Sequence, residues 1–268
     1  MYKIQTLNNI SPLGLDRLPK ANYEVCNECE APDAYILRSF KMHGMEVPPS
    51  VVAVARAGAG TNNIPVDEYA KLGIVVFNTP GANANAVKEL VLAGMLVGAR
   101  NISQGAAFAR SLEGTDEEIS KAVESGKKNF VGFELPGKTL GVIGLGAIGG
   151  GVANSAVALG MNVIGYDPAI TISAAWNLSS QVERVNDVDE IFKRADVVTV
   201  HVPLIEATKN LVNAERLAMM KPNGTILNFA RGGIVDDAAI VEALNAGKLG
   251  AYVCDFPSNA LKGCAKVL

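Results

Sequence analysis

Apolar positions along this chain fall into short, nearly continuous runs rather than long amphipathic stripes. In the N-terminal third, residues 34–38 (AYILR), 51–57 (VVAVARA) and 74–78 (IVVFN) are such runs, each closed by a polar or glycine-rich turn. Runs rich in β-branched residues and bounded by turn formers predict buried strands. Between two of them, residues 65–72 open with Asp67 and Glu68, and acidic residues in the first turn mark a helix start. Strand, helix and strand at this spacing predict parallel strands joined by right-handed crossovers. Residues 85–100 predict a helix, with Lys88 and Glu89 to one side, and 101–110 predict its extension. The more polar stretch 111–133 reads as an exposed arm. Beyond Pro136 the pattern becomes regular, with strands predicted at 139–144, 162–167, 182–185, 197–202, 224–229 and 250–255. Helices fit between most of them, most clearly at 238–247, where Ile240, Val241 and Leu244 share a face and Gly247 ends the run. Strand signals with helical spacers imply a doubly wound sheet.

Composition sharpens this reading. At 49% hydrophobic and 19% charged residues the chain has ample apolar surface to bury, which excludes a disordered protein. A length of 268 residues, at roughly 150 per domain, predicts two domains. The boundary is placed at 1–97 and 98–268. The formal net charge of −3 supplies no basic stripe, so neither nucleic acid nor an anionic membrane surface is expected as a partner. The apolar run 90–99 is too short for the ~20 residues of a spanning helix, and no charged leader precedes an apolar core at the N-terminus. A cytoplasmic protein is expected. The four cysteines, Cys26, Cys29, Cys254 and Cys264, are too few for a disulfide scaffold. Cys26 and Cys29 have redox or zinc spacing, but no second close Cys or His pair completes a site, so they read as a buried or incidental pair. No metal site is expected.

The strongest chemical signal is Gly144-Leu145-Gly146-Ala147-Ile148-Gly149, a G-x-G-x-x-G that follows a predicted strand and opens a helical segment. In that context Gly144 permits a tight turn, Gly146 lets the backbone approach a pyrophosphate, and Gly149 lets helix and strand pack closely. The helix N-terminus adds N–H groups and the positive end of a dipole. The next predicted strand ends in Asp167, about 20 residues further on. A carboxylate there accepts from ribose hydroxyls and repels a 2′-phosphate, which favours NAD over NADP. Gly150 and Gly151 prolong the glycine run into the helix, at up to about 1 kcal/mol each relative to Ala, with no functional reason apparent.

Further segments carry a resemblance. Asn228-Phe229-Ala230-Arg231-Gly232-Gly233-Ile234-Val235-Asp236, His201-Val202-Pro203 with Thr208, and Arg56-Ala57-Gly58-Ala59-Gly60-Thr61-Asn62-Asn63-Ile64 resemble the D-isomer-specific 2-hydroxyacid dehydrogenases. Residues 38–43 (RSFKMH) and 78–86 (NTPGANANA) are similar to members acting on a phosphorylated hydroxy acid. The resemblance implies an α/β fold of two doubly wound domains, a Rossmann NAD-binding domain and a smaller flavodoxin-like substrate domain. It also implies hydride transfer between C2 of a 2-hydroxy acid and NAD. Arg231 would polarise the C2 oxygen and grip the carboxylate, since a guanidinium is always charged and forked. Gly58, Gly60, Thr61 and Asn62 would hold that carboxylate on backbone N–H groups, and Arg38, Ser39 and Lys41 would bind the substrate phosphate. Ala147 and Ile148 would lie against the pyrophosphate. His201, Pro203, Thr208 and Ala230 would line the cofactor site, and Asp255 would meet the nicotinamide carboxamide. His43 reads as an ordinary loop residue. Residues 101–133, which include this polar arm, resemble a dimer-forming region, so a homodimer is expected.

The pattern also breaks. The family supplies a Glu–His pair in which the Glu raises the His pKa and the His moves the substrate proton. Here Asn259 stands near the Glu position and no His follows Asp255. The chain thus reads as truncated, binding NAD(H) but turning over slowly or not at all. Two alternatives stay open. One is a dehydrogenase for an unphosphorylated acid such as glyoxylate or hydroxypyruvate, which needs neither Arg38 nor Lys41. The other is a non-catalytic NAD(H)-sensing protein of the same fold.

Overall fold

A computed structural model describes residues 1–268, which divide into two compact units, Met1–Asn83 and Ala84–Leu268. The first unit runs β1 (Tyr2–Thr6), α1 (Pro12–Leu15), β2 (Tyr23–Cys26), β3 (Ala34–Leu37), β4 (Ala53–Arg56), α2 (Val66–Lys71) and β5 (Val75–Asn78). All its strand pairs are parallel, in the order β2-β1-β3-β4-β5, which is the flavodoxin-like winding. Its core gathers Tyr35, Leu37, Met42, Val51, Val54, Ile64, Tyr69 and Ile74. Strands β1 and β2 had no counterpart in the apolar runs. β1 (YKIQT) buries only alternate residues, and β2 is an edge strand with no fully buried position. Cys26 and Cys29 are not an incidental pair: with Cα atoms 6.0 Å apart, they are joined as a disulfide across the turn after β2. That separation suits a disulfide.

The second unit opens with three helices, α3 (Ala84–Arg100), α4 (Ile102–Arg110) and α5 (Asp116–Gly126). The remaining elements are β6 (Thr139–Ile143), α6 (Ala147–Ala158), β7 (Asn162–Tyr166), α7 (Ile172–Trp176), β8 (Val182–Arg184), α8 (Val188–Arg194), β9 (Val197–Val200), α9 (Ala214–Met219), β10 (Gly224–Asn228), α10 (Asp237–Asn245) and β11 (Leu249–Cys254). The sheet order β11-β10-β9-β6-β7-β8 is the Rossmann order, with its reversal between β6 and β9. Its apolar runs are continuous because both faces are buried. Ile143, Ile164, Val198, Ile226 and Tyr252 enter one core. Their chain neighbours Val142, Val163, Val197, Leu227 and Val253 enter the other.

Three differences from the sequence expectation concern α3 and the segment after it. The helix does not continue through 101–110, because Asn101 turns left-handed at φ 51° and a separate helix begins after it. Asn tolerates that conformation better than most residues. The arm 111–133 is largely helical: Thr115 caps α5, its hydroxyl accepting from the Glu118 N–H while the Glu118 carboxylate accepts from the Thr115 N–H. The units also meet before α3 rather than at residue 97. Val91, Met95 and Ala99 are buried along one side of α3 and belong to the second core. Gly94 lets the helix sit close, since a Cβ there would come within 2.8 Å of the Phe229 ring. No helix is long and apolar enough to cross a membrane.

The glycine run in α6 offers a stability test. A Cβ on Gly151 would meet only the flexible Lys88 chain, at 3.4 Å and beyond. Gly151→Ala should therefore gain about 1 kcal/mol of helix propensity and raise the melting temperature by roughly 2–4 °C. A lowered melting temperature in calorimetry would show that the small residue is required there.

Candidate active site

In a parallel sheet ligands gather outside the C-terminal strand ends, and the predicted cofactor residues all lie at those ends in the second unit. Gly144, directly after β6, has φ 91°, and a Cβ on it would sit 2.6 Å from the His201 carbonyl oxygen after β9. A Cβ on Gly149 would sit 1.9 Å from the Gly144 carbonyl oxygen. Strand and helix can close on each other only if both positions lack a side chain. Gly146 differs: a Cβ there would meet nothing within 4 Å. Gly146 and Ala147 are exposed and Ile148 is half-buried, so open space stands before the N-terminus of α6, where N–H groups without helical partners would receive a diphosphate. The residues present therefore fit the dinucleotide that the fingerprint implies.

Asp167, just beyond β7, accepts from the Leu145 N–H at 2.9 Å through one carboxylate oxygen and from the Ala169 N–H at 2.9 Å through the other. The carboxylate thus braces the glycine loop and keeps lone pairs for ribose hydroxyls. Thr208 organises the next loop, donating to the Pro203 carbonyl and accepting from the Ile205 N–H at 2.9 Å. Ala230, Arg231 and Asp255 stand at the neighbouring ends of β10 and β11, where the Asp255 N–H donates to the Asn228 carbonyl at 3.2 Å. Arg231 is exposed, and its guanidinium donates to the Ala230 carbonyl at 2.7 Å.

In the first unit, the loop after β3 and the loop after β4 are stitched together. The Asn63 amide donates to the carbonyls of Arg38 at 3.3 Å and Phe40 at 2.7 Å, and the Met42 N–H donates to the Asn63 carbonyl at 2.8 Å. Asn8 accepts from the Arg38 N–H at 2.9 Å and donates to the Ser39 hydroxyl at 3.1 Å. Arg38, Ser39 and Lys41 are exposed, beside a loop in which Thr61 is half-buried and Asn62 exposed. Gly58 and Gly60 are half-buried in that loop. Gly58 suits its place, because at φ 153° the backbone adopts a conformation that side chains rarely take, and a Cβ would also push the Arg56 guanidinium aside. Arg56 also donates from Nε to the Arg38 carbonyl at 3.1 Å, so a further cation stands at this loop. Arg56 and Asn63 lie within a segment that the sequence motifs mark; Asn8 had no local signal, because its partners are some 30 residues away. His43 bridges the same loops, its Nε2 lying 3.0 Å from the Asn62 carbonyl.

His201 is half-buried by area, yet desolvation in its packed surroundings lowers its pKa from 6.5 to about 4. Its Nε2 lies 3.0 Å from the Thr199 hydroxyl. Well above pH 6.5 the ring is neutral in both folded and unfolded chains and adds no pH dependence. Below that, the unfolded chain takes up a proton that the folded chain refuses until about pH 4, so stability falls across this window. The variant His201→Gln should accordingly lose less melting temperature than the wild type on going from about pH 7 to about 4.5. Equal losses in a melting series would show that the ring protonates freely in the folded state.

Residues 93–262 match the NAD-binding domain of the D-isomer specific 2-hydroxyacid dehydrogenases, and the cofactor is NAD. The chain is 45% identical over 202 residues to D-3-phosphoglycerate dehydrogenase of Methanocaldococcus jannaschii, covering 75% of this chain and 36% of that protein. It is 42% identical over 211 residues to hydroxypyruvate reductase of Thermotoga maritima, covering 79% and 63% respectively. It therefore spans less than two thirds of the length of either relative. Among solved structures, the holo form of Rhodotorula graminis D-mandelate dehydrogenase superposes with a TM-score of 0.82 at 26% identity, over 99% of this chain and 86% of that one. With the glycine loop, the Arg231 turn and these likenesses in agreement, the chain belongs to the D-isomer-specific 2-hydroxyacid dehydrogenase family.

Proposed function

We propose that the protein takes part in the NAD-dependent oxidation of D-3-phosphoglycerate to 3-phosphohydroxypyruvate, the reaction that opens the phosphorylated route to serine. The observation that carries this reading is the cationic loop of the first unit. Arg38, Ser39 and Lys41 follow β3 together, with Arg56 beside them and Asn8 and Asn63 holding the backbone. Two or three cations and a hydroxyl suit a phosphomonoester, and an unphosphorylated acid has no use for them. The 45% identity to a D-3-phosphoglycerate dehydrogenase supports the same substrate.

NAD, when bound, accepts hydride from C2 of the hydroxy acid. Everything else falls to binding and orientation. Asp167 would hold the adenosine ribose, and Ala147 and Ile148 the pyrophosphate. Asp255 would accept from the carboxamide, with His201, Pro203, Thr208 and Ala230 lining the site. Arg231 would grip the substrate carboxylate and steady charge on the C2 oxygen. Gly60, Thr61 and Asn62 would offer backbone N–H groups to the same carboxylate, whereas the Gly58 N–H is already given to the Arg56 carbonyl at 2.9 Å. The hydroxyl proton needs an acceptor, and His201 is unsuited to that role. Its lowered pKa makes it a weak base, and its Nε2 is already engaged by Thr199. The arm formed by α4 and α5 is assigned to a homodimer contact, which a monomeric mass in light scattering would refute.

A thermal-shift titration tests the substrate assignment without requiring turnover. NADH should raise the melting temperature, since a ligand bound only by the folded state at 100 times its Kd adds about 2.7 kcal/mol. In its presence 3-phosphohydroxypyruvate should add a further rise that hydroxypyruvate does not. The double change Arg38→Ala and Lys41→Ala should remove that increment and leave the NADH shift intact. The relative from Thermotoga maritima, 42% identical, favours a second reading with an unphosphorylated acid; equal shifts from both compounds would decide for it. A shift with NADH alone would favour a nicotinamide-sensing protein.

A further inference from the structure

Arg231 can act on a substrate only if something holds it, and its own surroundings do little of that work. The side chain is exposed, and its guanidinium bonds to the carbonyl of the residue before it. The turn that carries it runs into Gly232 and Gly233, the latter at φ 81°, so the backbone beyond is permissive.

The restraint on this turn lies beneath it. Asn228, at the end of β10, is 1% exposed and one of few buried polar residues in the chain. Its side-chain oxygen accepts from the Ala230 N–H at 3.1 Å, and its side-chain nitrogen donates to the Arg231 carbonyl at 2.9 Å. The other amide hydrogen points at the hydroxyl of Tyr252, 3.4 Å away. Tyr252 is itself 1% exposed. The Asn228 backbone carbonyl receives the Asp255 N–H. One primary amide thus closes the turn that carries Arg231, and its backbone ties that turn to Asp255. The Ala230 N–H, which can only donate, and the Arg231 carbonyl, which can only accept, fix which way the amide faces, and the nitrogen's second hydrogen is left for the Tyr252 hydroxyl.

We infer that Asn228, backed by the Tyr252 hydroxyl, is the positioning residue that holds Arg231 ready for the substrate carboxylate. This inference rests on the dehydrogenase reading above. It predicts that the pair acts on substrate affinity through Arg231 and changes cofactor affinity far less, the Ala230 N–H being its side-chain tie to that site. A buried amide that merely stabilised the fold would instead lower the melting temperature and weaken both ligands together.

The test is a double-mutant cycle on the full chain. Nicotinamide fluorescence reads NADH binding, and oxamate, an unreactive mimic of a 2-oxo acid, is titrated into the NADH complex. Arg231→Ala and Asn228→Ala should each weaken oxamate about tenfold, with NADH affinity held within about twofold. Tyr252→Phe should have a smaller effect in the same direction. Asn228→Ala added to Arg231→Ala should cost nothing further, because its effect passes through that side chain. Should Asn228→Ala fail to fold, Tyr252→Phe carries the same cycle with the buried ring retained. Full additivity with Arg231→Ala, or equal losses for NADH and oxamate, overturns the inference while the dehydrogenase reading stands. If Arg231→Ala leaves oxamate affinity unchanged, or the wild type binds neither ligand, the parent assignment fails and this one with it.

Discussion

The second sheet buries both of its faces, and most of what the protein does depends on that. Residues 142 and 143, 163 and 164, 226 and 227, and 252 and 253 enter opposite cores. The strands inside it must then be apolar with few exceptions, the short edge strand β8 alone standing mostly exposed, and their connections pass over the faces as helices. Parallel strands with helical crossovers present all their C-terminal ends on one side. That single consequence brings Gly144, Asp167, His201, Asn228 and Asp255 to one crest, although they are scattered over more than a hundred residues of chain. The close packing is felt most at the glycine loop, where two positions leave no room for a methyl group and a third stands open to solvent.

A division of labour between amides and charges recurs in both units. The cations that would meet a substrate, Arg38, Lys41 and Arg231, stay exposed, because burying an unpaired charge is prohibitive. Neutral amides hold the backbone under them. Asn63 and Asn8 tie the loop after β3, and Asn228 ties the turn after β10. A primary amide both donates and accepts, so at Asn228 it closes a buried turn with both its polar atoms bonded, whereas at Asn63 only the nitrogen is bonded and the buried oxygen has no partner. Substrate charges would meet solvated cations on fixed supports, with little reorganisation left for binding itself.

Legibility in the sequence tracked local information. Strands written as apolar runs announce themselves whether they are fully buried, like β9 and β10, or only partly so, like β3 to β5, and these were readable with their ends shifted by a residue or two. β1 and β2 were not, since one alternates apolar with polar residues and the other is an edge with nothing to bury. The break at Asn101 hid inside a continuous helical pattern, because one residue turning left-handed leaves hydrophobic periodicity almost intact. The boundary expected at residue 97 cuts through a helix whose pattern is continuous. The division falls ahead of α3 because Val91, Met95 and Ala99 pack into the second core.

By itself the amino-acid sequence determined the α/β class, the glycine-rich turn after β6 with an aspartate closing the next strand, and the family through motifs in order. These are short-range signals: spacing within a turn, continuity within a strand, residues adjacent in the chain. Tertiary structure alone decided the pairing of Cys26 with Cys29, the stitching of loops by Asn8 and Asn63, the lowered pKa of His201 and the amide beneath Arg231. Each depends on desolvation or on a hydrogen bond whose geometry exists only once the chain has folded. Nothing in the local pattern distinguishes an asparagine facing water from one that holds a turn in place.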